Sequence, residues 1–140
     1  MNSQERQAVV AEALSWERTP YHPHGRVKGV GVDCAMFPAE VYAAAGIIAP
    51  IEPQEYPVDW HMHRDQERFL SAVLAHARPT ENMHPGNLVL YRWGRTFAHS
   101  GIIVAWPTII HAMMHEGVCR ADGTAGELAN RRRLCFTLGD

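Results

Sequence analysis

Excess charge, long apolar runs and abundant cysteine are all missing from this chain of 140 residues. The formal net charge of -2 leaves no basic footprint, so nucleic acid is not an expected partner. No apolar run approaches the length that crosses a bilayer, so no membrane span is expected. The three cysteines are too few and too scattered for a disulfide framework or a zinc ribbon, so at least one thiol is unpaired.

The N-terminus, from Met1 to Arg6, lacks the charged segment followed by an apolar one that marks an export signal. This pattern predicts synthesis in the cytoplasm without a signal peptide. The length suits one domain over residues 1–140, and nothing in the sequence calls for a cofactor.

Helical periodicity comes first along the chain and strand-like patterns follow. We expect helices over residues 3–17, 33–46 and 65–77. Ser3 should cap the first helix, Gly46 should end the second, and Arg78-Pro79 should end the third. Short β-branched and aromatic runs predict strands over residues 88–91, 100–106, 108–114 and 134–138. This order favours an α+β fold with N-terminal helices packed on a small antiparallel sheet.

Cys34 follows Asp33, a favoured helix-capping residue, at the predicted start of the second helix. Unpaired N–H groups and the helix dipole there would lower the pKa of the thiol and stabilise an oxyanion. A small buried structural cysteine is the alternative, and the helix position alone favours it. Cys119, in an apparent turn, and Cys135, in a strand-like run, are predicted to be structural.

A cysteine nucleophile needs a base that a third group orients, and two of the nine histidines have suitable positions. His99 and His111 lie on consecutive strand-like runs around Trp106-Pro107. Pairing His111 with Ile102 would put the two rings on opposite faces, whereas pairing it with Gly101 puts them on one face. A catalytic pair therefore requires the second register, in which Gly101 would also leave room for the His99 ring.

Five motifs occur in an order that resembles the NlpC/P60 family of papain-like cysteine peptidases, and they span nearly the whole chain. They are Thr19-Pro20-Tyr21, Gly31-Val32-Asp33-Cys34-Ala35, Pro85-Gly86-Asn87-Leu88-Val89-Leu90-Tyr91, Ala98-His99-Ser100-Gly101-Ile102 and Ile110-His111-Ala112. The 12-residue step from His99 to His111 also matches.

The resemblance implies a papain-like NlpC/P60 fold and cleavage beside a γ-linked D-glutamyl residue in peptidoglycan stem peptides. By position, Cys34 would be the nucleophile, His99 the general base and later acid, and His111 the orienting residue. The Tyr21 hydroxyl and the Cys34 N–H would bind the oxyanion. The long loop over residues 22–31 resembles the branch found in phage and prophage tail proteins, which implies tail proteins as partners and a place in the virion.

Three positions depart from the family pattern. Met36 stands where glycine is usual, which predicts a bulky side chain close to the nucleophile. Pro38 removes the helix hydrogen bond to the Cys34 carbonyl, so it should bend or widen that turn. Asn87 replaces the usual aspartate and is expected to affect a turn more than catalysis.

Three alternatives stay open. His22 and His24, His61 and His63, and His111 and His115 are pairs whose spacing zinc could use. The domain could instead be a structural tail or interaction module that has lost activity. The same thioester chemistry could also serve amide hydrolysis or acyl transfer on a non-peptide substrate. The residues predicted to line the pocket rim are His22, His24, Arg26 and Trp60, while the basic run 131–133 is expected to be solvated.

Overall fold

The structure is a computed structural model that describes residues 1–51 and 70–139. In these residues the elements are α1 (Ser3–Leu14), β1 (Arg26–Val27), β2 (Gly31–Val32), α2 (Met36–Ala44), β3 (Ala77–Pro79), β4 (Leu88–Trp93), β5 (Thr96–Ala105), β6 (Thr108–Met113), β7 (Gly117–Asp122), a 3-10 turn (Gly126–Leu128) and β8 (Arg133–Leu138). Residues 70–74 are also helical. Within the described ranges, no helix is long and apolar enough to cross a membrane.

Six strands form one antiparallel sheet in the order β3-β8-β4-β5-β6-β7. Because strand side chains alternate between faces, the sheet buries two separate apolar clusters. On one face, Leu90 and Ile102 pack with Phe37 of α2. On the other face, Ile103 packs with Leu128 of the 3-10 turn. Helices on one face of an antiparallel sheet are the α+β arrangement that the sequence predicts.

The first helix is capped by Asn2, so the prediction of Ser3 is wrong by one residue. The Asn2 side chain accepts a hydrogen bond from the Glu5 N–H, and the Glu5 carboxylate accepts one from the Asn2 N–H, each at 2.8 Å. Ser3 has Arg6 three residues later and therefore lacks the acidic partner of such a capping box. The helix ends at Leu14, three residues earlier than predicted.

The second helix begins at Met36 rather than at Asp33. The first helical hydrogen bond is present, since the Phe37 N–H donates to the Asp33 carbonyl at 3.0 Å. The next one would need an N–H at position 38, and Pro38 has none. Cys34 therefore lies in the turn just before the regular helix, and not within its first turn as predicted.

Gly46 ends the second helix, as predicted. Its φ of +78° is the left-handed conformation that favours glycine. The Gly46 N–H donates to the Ala43 carbonyl at 3.0 Å, and the Ile47 N–H donates to the Tyr42 carbonyl at 2.9 Å. These two bonds satisfy carbonyls that the helix end would otherwise leave without donors.

Two predictions at the sheet edges are wrong. The helix predicted over 65–77 is present over 70–74, and its first residues, 65–69, lie outside the described ranges. Its predicted end is wrong, because Ala77, Arg78 and Pro79 form the edge strand β3, paired with β8. Proline is tolerated on an edge strand because its missing N–H can face outward. Cys119 lies within β7 rather than in a turn. The charged side chains of β7 lie on an exposed edge, so the apolar alternation that reveals a strand is absent.

The register between β5 and β6 is the one that a catalytic pair requires. Ile102 pairs with Ile110 and Ile103 with Ile109. The same register, continued by one residue, places His111 opposite Gly101. A Cβ at Gly101 would lie 2.7 Å from Cδ1 of Ile109. Glycine at this position therefore makes room for the Ile109 side chain.

A β-bulge at Val104 produces this register. Next to the turn, Ala105 pairs with Thr108, and that pairing continued without a bulge would set His111 opposite Ile102. The irregularity between Ile103 and Ala105 shifts β5 by one residue. The bulge therefore decides that both imidazoles lie on the same face of the sheet.

Candidate active site

Cys34 is held against β5 by two contacts that flank His99. Its thiol donates a hydrogen bond to the Ala98 carbonyl, with 3.8 Å between sulfur and oxygen. Its carbonyl accepts a hydrogen bond from the Ser100 hydroxyl at 2.9 Å. The β5–β6 ladder reaches only to Ile102, whereas β4 continues along β5 as far as Thr96. Cys34 therefore packs beside the part of β5 that extends beyond the β6 ladder.

The Cys34 thiol is protonated at rest. Only 5% of the residue is exposed, and this burial raises the pKa of the thiol to about 12. The neighbouring Asp33 carboxylate raises the pKa further, while a hydrogen bond from Tyr21 and the backbone N–H of Cys34 itself lower it. The predicted lowering of the pKa by the helix start is therefore wrong. Burial beside a carboxylate outweighs the effect of the helix start.

Asp33 builds the turn in which Cys34 lies. One carboxylate oxygen accepts hydrogen bonds from the N–H groups of Ala35, at 3.2 Å, and Met36, at 2.8 Å. The other accepts one from the N–H of His24, at 2.8 Å. Burial nevertheless raises the pKa of Asp33. The carboxylate thus fixes the backbone on both sides of the nucleophile position.

Met36 belongs to the apolar cluster between α2 and the sheet and is 1% exposed. The Met36 side chain is therefore packed into the hydrophobic core.

Asn87 is also buried, and its side chain accepts a hydrogen bond from Arg6 Nη1 at 2.7 Å and donates one to the Asn82 carbonyl at 2.8 Å. The bond to Asn82 closes the turn before β4, and the bond from Arg6 ties that turn to α1.

Tyr21 lies beside the nucleophile through a short parallel bridge to Val32. The His22 N–H donates to the Val32 carbonyl at 3.1 Å, and the Val32 N–H donates to the Pro20 carbonyl at 3.0 Å. The Tyr21 side chain hydrogen-bonds to that of Cys34. The loop before α2 thus brings a hydroxyl to the sulfur.

His99 and His111 form a buried hydrogen-bonded pair. Nε2 of His99 and Nδ1 of His111 are 2.9 Å apart, and the rings meet at 70° with centroids 5.1 Å apart. Burial lowers the pKa of His99 to about 3, aided by His111 and Arg131. Burial also lowers the pKa of His111 to about 4, while Glu116 acts in the opposite direction. Both imidazoles are therefore neutral near pH 7.

Trp93 and Arg131 pack beside His99, and neither was predicted as part of the site. The Trp93 ring lies 5.1 Å from the His99 ring, and the Arg131 guanidinium lies 3.4 Å from the centre of the Trp93 ring. Arg131 also donates to the carbonyls of Glu127 and Arg92. The basic run is exposed at Arg132 and Arg133, as expected, whereas Arg131 is only partly exposed because it packs on Trp93.

Among the predicted rim residues, His22 is exposed and its Nδ1 lies 2.9 Å from the Pro23 carbonyl. The Arg26 guanidinium forms an ion pair with Glu40 at 2.6 Å and donates a hydrogen bond to the Ile51 carbonyl at 2.8 Å, so it already has partners within the chain. Trp60, together with His61 and His63, lies outside the described residues.

The remaining cysteines occupy other surroundings. The Cys119 thiol contacts the Glu116 carboxylate at 3.6 Å, and the Cys135 thiol contacts the Asn82 carbonyl at 3.6 Å. Cys135 lies in β8, as predicted. Within residues 1–51 and 70–139, no group of three or more His, Cys, Asp or Glu side chains is arranged to hold a metal ion.

The fold and the site define a papain-like α+β protein in which a turn before a helix brings a cysteine to β5, whose His99 bonds His111 on the neighbouring strand β6. The model of the NlpC/P60 family matches residues 18–133. The chain therefore belongs to the NlpC/P60 family.

Solved structures share this fold at low sequence identity. The NlpC/p60 domain of the peptidoglycan hydrolase SagA is 22% identical with a TM-score of 0.64, covering 95% of this chain and 98% of that one. An NLP/P60 protein similar to a lipoprotein, from Staphylococcus aureus, is 19% identical with a TM-score of 0.67, covering 99% and 42%. An NlpC/P60 family protein from Bacillus cereus is 15% identical with a TM-score of 0.68, covering 96% and 40%. This chain thus spans about two fifths of the last two. A search of the curated proteins gives no match.

Proposed function

We propose that this chain is a cysteine peptidase that cleaves peptidoglycan stem peptides beside a γ-linked D-glutamyl residue. Cys34 is the nucleophile, His99 the general base and His111 the residue that orients it. The observation that carries the proposal is the buried 2.9 Å hydrogen bond between the two imidazoles. Cys34 is held beside this pair, because it bonds the residues on either side of His99. Family membership supports a cell-wall substrate, since SagA is a peptidoglycan hydrolase.

The histidine pair determines which ring nitrogen acts as the base. Because His111 is neutral, its Nδ1 can accept the proton that His99 carries on Nε2. That tautomer leaves Nδ1 of His99 unprotonated and able to take a proton from the thiol. A protonated His111 would donate in the opposite sense and put the His99 proton on Nδ1. The low pKa of His111 thus keeps His99 competent as a base.

The reaction proceeds through a thioester. The thiol turns from the Ala98 carbonyl toward His99, its proton passes to Nδ1, and the sulfur attacks the substrate carbonyl carbon. His99 then gives the proton to the leaving amine as the C–N bond breaks. A water molecule then gives a proton to His99 and attacks the thioester carbonyl carbon. The C–S bond breaks, the acid leaves, and His99 returns the proton to the Cys34 sulfur. The pair starts neutral, so the proton moves during the attack rather than before it.

The oxyanion of the tetrahedral intermediate is bound by two donors close to the sulfur. The Tyr21 hydroxyl already hydrogen-bonds to the Cys34 side chain, and the Cys34 N–H faces its own sulfur. Donors held in place beforehand cost no reorganisation when the charge develops. Their position beside the nucleophile supports the role proposed for Tyr21.

The rival function is a structural module of a phage tail or another assembly, without activity. The observation that favours it is the burial of Cys34, with a thiol whose pKa is raised to about 12. Both proposals are compatible with a place in a phage tail, with tail proteins as partners. The zinc alternative has weaker support, because His111 bonds His99 and the described residues offer no metal cluster.

Incubation with defined stem peptides, followed by mass spectrometry of the products, separates these functions. We expect a single cut at the γ-D-glutamyl bond and no product with Cys34→Ala. Cys135→Ala is the matched control, since that cysteine lies in β8, which β4 separates from the strand of His99, and it should retain activity. Intact peptides with the unaltered chain would favour the structural module.

A further inference from the structure

The carbonyl of Cys34, in the turn that leads into α2, needs a hydrogen-bond donor from outside the helix. In a continuous helix it would accept from the N–H of residue 38, four positions on. Pro38 has no N–H, although the preceding bond, from Phe37 to Asp33, is made at 3.0 Å. Proline at this position thus leaves one carbonyl, that of the nucleophile, without a partner in the helix.

Ser100 supplies the missing donor. Its hydroxyl donates to the Cys34 carbonyl at 2.9 Å, and the two residues are 1% and 5% exposed. At this burial water cannot readily replace the hydroxyl, and an unsatisfied buried carbonyl is costly. The bond that would have lain inside the helix therefore joins the helix turn to β5.

We infer that Ser100 is a positioning residue for Cys34, recruited because Pro38 leaves the Cys34 carbonyl without a helix donor. This inference rests on the proposed function, in which Cys34 and His99 are the reacting pair. Ser100 is the chain neighbour of His99, so its hydroxyl fixes the nucleophile to the strand that carries the base. The thiol contact with Ala98 at 3.8 Å lies on the other side of His99. Ser100 acts through Cys34 and does not touch the substrate.

A double-mutant cycle tests this assignment. Ser100→Ala removes the donor, and Pro38→Ala returns an N–H that can bond the Cys34 carbonyl within the helix. With stem peptide, Ser100→Ala should lower kcat about 10- to 100-fold and change KM less than about twofold, because the reacting atoms are displaced while the binding surface remains. In the Pro38→Ala background the same change should lower kcat less than about threefold. Ser100→Thr keeps the hydroxyl and should restore most of kcat.

Alkylation of Cys34 by iodoacetamide gives a second readout that needs no peptidase activity. Loss of the Ser100 bond should free the buried sulfur and raise its alkylation rate about tenfold or more, again only where Pro38 is present. Ser15→Ala is the matched control, because it removes a hydroxyl bonded to Lys28 on the exposed end of α1. If no variant cleaves peptide but the alkylation cycle is non-additive, the proposed function fails and the positioning role stands.

If Ser100→Ala changes kcat and the alkylation rate equally with Pro38 and with Pro38→Ala, the inference is overturned. The role of the hydroxyl would then be independent of Pro38. An unchanged kcat and an unchanged alkylation rate in Ser100→Ala would also overturn it. If Ser100→Ala alone fails to fold, the double variant and Ser100→Thr still decide. The inference requires both to fold with alkylation rates close to those of their Ser100 parents.

Discussion

The protonation state of Cys34 at rest leads to a quantitative prediction about its reactivity. A pKa of about 12 instead of about 8.5 lowers the thiolate fraction at pH 7 from about 3% to about 0.001%. A more basic thiolate is a better nucleophile, which raises its intrinsic rate by a factor of about 40 for a Brønsted slope near 0.45. The folded protein should therefore alkylate at Cys34 about 100-fold more slowly than the same cysteine in the unfolded chain, before shielding by burial is added.

The assay is timed iodoacetamide labelling between pH 6 and pH 10, with the three cysteine peptides quantified by mass spectrometry. In the folded protein, the Cys34 rate should rise about tenfold per pH unit without a plateau, because the thiol stays below its pKa throughout. The urea-unfolded chain provides the reference rate for each cysteine. An alkylation rate of Cys34 that reaches a plateau below pH 7 is the signature of a thiolate paired with an imidazolium. Such a plateau would refute the account in which Cys34 and His99 are both neutral at rest.

Two further predictions concern the histidines. His111→Leu should lower kcat about 100- to 10,000-fold and leave KM within about threefold, because His99 loses the acceptor that fixes its tautomer. Stem-peptide kinetics measure both constants, and an unchanged kcat would contradict the role of His111. Stability should fall as the pH drops from about 6.5 toward 4, because the buried histidines have folded-state pKa values of about 3 and 4, so the unfolded chain binds more protons. His99→Gln should reduce that slope by about 1.4 kcal/mol per pH unit in urea unfolding, and an identical slope in both proteins would contradict the burial of a neutral His99.

Much of the architecture could be predicted from local patterns. Apolar residues at helical spacing before residue 46, and β-branched runs after residue 87, predict helices followed by strands and therefore an α+β fold. The requirement that His99 and His111 share a face selected the correct register from the two open ones. These features were predictable because a side-chain period of two residues leaves few solutions.

The remaining features depend on contacts between distant parts of the chain. The bulge at Val104 shifts the register of β5 against β6 by one residue, and no local sequence pattern marks its position. The raised pKa of the Cys34 thiol reflects its burial, which the helix-start argument did not include. The loss of a hydrogen bond at Pro38 was predictable, but its replacement by Ser100 required the position of β5.

Capture of the covalent intermediate tests the central claim most directly. Rapid acid quenching of the protein with a stem peptide, followed by intact-mass and peptide analysis, should show a transient adduct of the acyl fragment on Cys34. The adduct should be absent in Cys34→Ala and strongly reduced in His99→Ala, which lacks the general base. Peptide cleavage that persists in Cys34→Ala, or an adduct on any other residue, would contradict the account.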